Sequence, residues 1–131
     1  MEKEIVNDKL IYPDLSYKVV GIAFDVGKEV GFGHKESFYQ KALAKALSDE
    51  KINFIEQLPA KLIFREEPIG IYYFDFLVED KIVIELKTRN YFSKKDIEQL
   101  YRYLKAKDLK LGIIIHFTNE GVKFKRVVNI L

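Results

Sequence analysis

"YYFDFLVEDKIVIELK", from Tyr72 to Lys87, is the stretch on which the fold turns. Aromatic and β-branched residues fill two runs separated by the polar Glu79-Asp80, the pattern of two strands joined by a tight turn. Side chains alternate faces along a strand. Phe74, Phe76 and Val78 are therefore expected on one face of the first strand, and Tyr73, Asp75 and Leu77 on the other. On the second strand Ile82, Ile84 and Leu86 share one face, and Val83, Glu85 and Lys87 share the opposite one. Uniting the two apolar sets requires even-numbered residues to oppose even-numbered ones, because a one-residue slip moves a whole set to the wrong side. A three-residue turn, Glu79 to Lys81, meets that condition and sets Asp75 opposite Glu85.

Two carboxylates directly across a ladder repel, and charge inside an apolar run is costly to bury. A divalent cation between them resolves both problems, since Mg²⁺ and Ca²⁺ take carboxylate oxygens. Lys87, projecting from the same face, could then position or deprotonate a water, or stabilise charge developing on a phosphate. The simpler alternative is an ion pair of Lys87 with Asp75 or Glu85 on a partly solvated face. The apolar neighbours Tyr73, Leu77 and Val83 mark this face as different from ordinary surface.

Working outward, Pro13 is expected to stop an irregular N-terminal stretch, with Asp14 or Ser16 capping the helix that follows. Val19, Ile22, Val26 and Val30 fall at helical spacing between Tyr17 and Val30. "GFGH", Gly31 to His34, breaks that helix. A second, Lys35 to about Glu50, carries Tyr39, Leu43, Ala46 and Leu47 on one stripe. Asn53 to Glu66 alternates as a strand, with Pro59 placing part of it at an edge or bulge, and Pro68-Ile69-Gly70 reads as a turn. After the Tyr72–Lys87 pair, Ser93 caps a helix to about Lys107 that turns Ile97, Leu100, Tyr101 and Leu104 to a core. Leu111 to Phe117 is nearly all apolar, as in a strand buried on both faces. Val122 to Ile130 forms a last strand. The order α-α-β-β-β-α-β-β implies an α/β fold, a central mixed β-sheet flanked by helices.

At 131 residues the chain is one domain by length, with residues 1–12 expected as a loosely attached N-terminal arm. Its 48% apolar content excludes a disordered chain, and no apolar run reaches the roughly 18 residues of a membrane span. The absence of cysteine excludes disulfides and thiolate metal sites and fits a soluble, cytoplasmic protein. A formal net charge of +2 does not by itself announce a nucleic-acid binder. Basic residues nevertheless gather late, at Lys94-Lys95, Lys105, Lys107, Lys110, Lys123, Lys125 and Arg126, as solvated faces or as phosphate contacts.

A strand bearing Asp, a turn, a strand bearing (D/E)-x-K, then a helix and another strand together resemble the PD-(D/E)XK nuclease superfamily. The closer likeness is to its GxxExxY branch, whose motif matches Gly33-His34-Lys35-Glu36-Ser37-Phe38-Tyr39. "QLPAKLIF", "YFDFLVEDKIVIELK", "EQLYRYLK" and "LGIIIHF" follow in that family's order, so the likeness runs from Leu10 onward. It implies a restriction-endonuclease-like core in which Asp75 and Glu85, with Glu36 from the helix, are metal ligands for Mg²⁺ or Mn²⁺. Lys87 becomes the catalytic lysine, and Gln99, with Tyr103 one turn further on, assists from the next helix. Glu36 lies three residues before Tyr39, which places it on the core-facing side of its helix.

Two positions depart from the family pattern: no proline precedes Asp75, and His116 stands where asparagine is expected. A lone strand histidine such as His116 is ordinarily satisfied locally, and His34 reads as a loop residue. The function implied is a metal-dependent nuclease processing nucleic acid by structure rather than sequence, DNA being favoured over RNA. A non-catalytic nucleic-acid-binding or protein-interaction module on the same fold is the alternative. A third reading makes the charged face an ion-pair network at a homodimer interface. So small a chain leaves little room for a separate recognition domain and points to a homodimer or a partner protein.

Overall fold

Five strands form a single sheet in the order β1-β2-β3-β4-β5. The computed structural model describes residues 11–130. The strands are β1 (Phe54–Phe64), β2 (Glu67–Val78), β3 (Ile82–Lys87), β4 (Leu111–Thr118) and β5 (Gly121–Val128). The helices are α1 (Pro13–Val30), α2 (Glu36–Asp49) and α3 (Lys94–Lys107). Neighbouring strands are antiparallel except β3 and β4, which run parallel across the α3 crossover. A parallel pair needs a long connection, and α3 provides it.

Each face of the sheet is covered. Val19, Ile22 and Val26 of α1 and Tyr39, Leu43 and Leu47 of α2 pack on Phe76, Ile82, Ile84, Leu86, Ile113 and Ile115. On the other face Leu100 and Leu104 of α3 pack on Val83, Ile114 and Val127. Every residue of β4 is buried, as its unbroken apolar run requires. Helix α3 approaches β4 closely because Gly112 has no side chain: a Cβ there would lie 2.7 Å from Leu100 Cδ2. No helix of the described residues is long and apolar enough to cross a membrane.

Several expectations need correction. Pro13 does not end a segment but opens α1 at its first turn, where a missing N–H costs nothing. Ser16 is buried and accepts a hydrogen bond from Arg126 rather than capping the helix. Residues 1–10 of the expected arm lie outside the described residues, while Ile11 and Tyr12 pack against the core. Pro68-Ile69-Gly70 is not a turn but part of β2. The chain reverses at Arg65 and Glu66, both at positive φ (48° and 68°). Pro68 is tolerated because it faces Ile63 where the β1–β2 register slips, and an irregular ladder can spare a donor.

Candidate active site

The register of the β2–β3 hairpin is the one its apolar pattern demands. Phe76 faces Ile84, Leu77 faces Val83 and Val78 faces Ile82. The connection is Glu79 to Lys81, with Glu79 and Asp80 at positive φ. Pairing then stops one residue short of Asp75.

Asp75 breaks the alternation. Phe76 packs with Phe54 toward α1 and α2, but Phe74 lies on the α3 side with Leu58. The neighbouring β1 strand breaks at the same level: Gln57 adopts φ 54° and is skipped between the pairs Glu56–Phe76 and Leu58–Phe74. Both strands therefore exchange faces together, and the register survives. Strict alternation had placed Phe74 beside Phe76 and Tyr73 beside Asp75. Instead Tyr72 and Phe74 stand on the charged side, and Tyr73 is exposed.

Beyond the break the Asp75 carboxylate substitutes for the missing ladder contact. Its Oδ2 accepts a hydrogen bond from the Leu86 backbone N–H at 2.7 Å. The Asp75 and Glu85 carboxyls lie close enough for each to bear on the other's ionisation. Burial raises both carboxyls, Glu85 to about 8, which favours the protonated form of Glu85 near neutral pH. Tyr72 donates its hydroxyl to Glu85 Oε2, and burial followed by that hydrogen bond raises the phenol. Lys87 Nζ lies 3.4 Å from the same oxygen. Repulsion between the carboxyls is thus offset by a backbone N–H on Asp75 and by a phenol and an ammonium on Glu85.

The Gly33–Tyr39 motif has a physical basis. Gly33 takes φ 93°, a conformation that glycine adopts without strain. The fully buried Tyr39 donates its hydroxyl to the Gly31 carbonyl at 2.6 Å and stacks on Phe117 with ring centroids 4.4 Å apart. It ties the loop to the start of α2. Glu36, the first residue of α2, remains exposed, so it is not on the buried stripe with Tyr39. Partial burial nonetheless raises its carboxyl, and it feels Lys87 first and Asp75 next.

Helix α3 does pack on the charged side, but neither Gln99 nor Tyr103 hydrogen-bonds to Lys87. Both line a cleft of about 820 Å³ between α3 and the β1–β2 hairpin, which Tyr72 also lines. Tyr103 rests against Phe74 with centroids 4.9 Å apart, and burial raises its phenol.

Tyr72 and Arg89 escaped the sequence reading. The first was hidden by the strand break; for the second, a cation two residues beyond Lys87 was the available signal. Arg89 pairs with Asp96 in the first turn of α3 and lies over the Tyr91 ring. Its carbonyl accepts from His116 Nδ1 at 2.7 Å, and burial lowers the imidazole. His116 is therefore tied locally on one nitrogen only, because its buried Nε2 has no partner among the described residues.

Among the described residues no three acidic or imidazole groups converge as a ready-made metal cluster. Asp75 and Glu85 still fit a divalent cation: both are hard oxygen donors, held by the Leu86 N–H and the Tyr72 hydroxyl beside Lys87.

A family model described as the PD-(D/E)XK nuclease superfamily matches residues 13–127. No curated protein matches. Three solved chains do. One, the crystal structure of SSO0001, superposes with a TM-score of 0.53 at 17% sequence identity. The match covers 72% of this chain and 51% of that one, so this chain spans about half the length of that structure. The likeness is one of fold.

Proposed function

Because the chain belongs to the PD-(D/E)XK nuclease superfamily, we propose that it hydrolyses phosphodiester bonds of nucleic acid, with DNA the favoured substrate, in a reaction dependent on Mg²⁺ or Mn²⁺. The observation that carries this reading is the break at Asp75, which turns a strand carboxylate onto Glu85 beside Lys87. A structural sheet has no use for such a break, since it forfeits ladder hydrogen bonds and buries two acids together.

Asp75 and Glu85 would hold the cation, and Glu36 would complete its surroundings from α2. A cation bound there supplies Lewis-acid polarisation of the phosphate and a more acidic bound water. The Leu86 N–H fixes the Asp75 carboxylate, and Tyr72 fixes Glu85, so neither ligand needs to reorganise. Lys87 orients the attacking water and offsets the negative charge that grows on phosphorus oxygens. Arg89, anchored by Asp96, stands ready to meet a neighbouring phosphate.

The test is cleavage of labelled single-stranded, duplex and branched oligonucleotides with Mg²⁺ or Mn²⁺. Lys87→Ala should lower the rate by roughly 10²-fold or more while leaving metal binding in place. Equal rates in wild type and Lys87→Ala would remove the lysine from the chemistry. A second reading, a nucleic-acid-binding module without turnover, draws on the absence of a third group closing on Asp75 and Glu85 among the described residues.

A further inference from the structure

The β1–β2 hairpin carries apolar residues where solvent should forbid them. Leu62, Ile63 and Ile71 are each more than half exposed, and all three line the cleft against α3. Grouped exposed apolar side chains mark a binding surface. The charge of this cleft is one-sided: Lys61, Arg102 and Lys107 line it, and no Asp or Glu does. None of these three cations has a carboxylate partner among the described residues. Tyr72 and Phe74 form the inner end with Tyr103, and the Tyr72 hydroxyl reaches Glu85. Tyr72 therefore links the lining of the cleft to Glu85.

A ligand for this surface must present flat apolar faces and regularly spaced negative charge. Unpaired nucleotides do so, with bases free to lie on aromatic and aliphatic walls while phosphates meet the cations. A duplex does not, because its base faces are stacked inside and only phosphates are offered. We propose that this cleft takes unpaired nucleotides of the substrate strand, so that the site acts beside a single-stranded tail or gap. The proposal rests on the nuclease reading, which places the bond to be cut at the Tyr72 end. Bases occupy the apolar wall of Leu62, Ile63 and Ile71. Phosphates meet Lys61, Arg102 and Lys107.

The experiment is fluorescence anisotropy in EDTA, so that nothing is cut, with a blunt duplex, the same duplex bearing an unpaired tail, and the tail alone. Each is prepared as DNA and as RNA. The tailed duplex should bind roughly tenfold more tightly than the blunt one, in keeping with stacking of a base or two. Arg102→Ala with Lys107→Ala should lose most of that preference and make the salt dependence shallower by about 0.7 per phosphate contact removed. Ile71→Asp should abolish the preference at unchanged thermal stability, since the side chain is exposed. Equal binding of tailed and blunt duplexes would overturn the proposal, as would wild-type tail affinity in the double variant. A change in oligomeric state in Ile71→Asp, with tail binding intact, would overturn it in favour of a second copy of the chain as occupant. Mn²⁺ titration of the same preparations separates the two claims. Metal binding without tail preference sinks the cleft alone, whereas tail preference without metal binding supports the cleft and sinks the nuclease reading.

Discussion

Replacing Glu85 with glutamine should make the metal-free protein more stable in mild alkali, although it removes a proposed metal ligand. Glu85 is held at about 8, against 4.5 for an ordinary glutamate. A raised carboxyl keeps its proton in the folded chain after the unfolded chain has lost it. The stability this proton confers is complete below pH 4.5 and is lost as the pH rises through 8. Over that window the loss is about 1.4 kcal/mol per pH unit, so passing from about pH 5.5 to about pH 8 removes about 3 kcal/mol.

Glutamine mimics the protonated acid. Its amide can donate toward Asp75 and its carbonyl can accept from Tyr72, while the contact with Lys87 loses its charge. It has no proton to lose. Urea unfolding at the two pH values is the assay. Glu85→Gln should hold its stability across this range, so that its advantage over the wild type grows by about 3 kcal/mol between about pH 5.5 and about pH 8. Parallel losses in the two proteins would show that Glu85 ionises freely, and a raised Glu85 would have to be abandoned.

Tyr39→Phe keeps the stack on Phe117 but leaves the Gly31 carbonyl without its 2.6 Å donor. A loss of about 1–2 kcal/mol in denaturant unfolding is expected, and one within error of zero would mean that water replaces the hydroxyl. Gly112→Ala forces a methyl to within 2.7–2.9 Å of three Leu100 side-chain atoms in a fully buried layer. It should cost about 1–3 kcal/mol, and combining it with Leu100→Ala should cost less than the sum of the single changes.

The hairpin was legible because period-two burial admits one register, and that register requires the three-residue turn at Glu79–Lys81. Helix α2, Ser93 as the cap of α3 and the buried β4 were legible for similar local reasons. That register brings Asp75 toward Glu85, although the ladder itself ends at Phe76 and Ile84. Tyr72 was not legible, because the face exchange at Asp75 depends on Gln57 of another strand leaving the ladder at the same level. No local pattern announces that. Pro68-Ile69-Gly70 misled for the converse reason: turn-forming residues were held in β2 by pairing with β1, while Arg65 and Glu66 took the positive φ values instead. The cleft was hidden because Leu62, Ile63 and Ile71 read as ordinary strand residues; their exposure follows from where α3 lies.

Calorimetric titration of Mn²⁺ at about pH 7, in buffers of different ionisation enthalpy, with Asp75→Ala and Glu85→Ala beside the wild type, tests the central claim most directly. With Glu85 held at about 8, saturable binding should release close to one proton per metal, and both substitutions should abolish it. No binding up to millimolar metal with an oligonucleotide present, or binding that survives both substitutions, would contradict a metal site at Asp75 and Glu85.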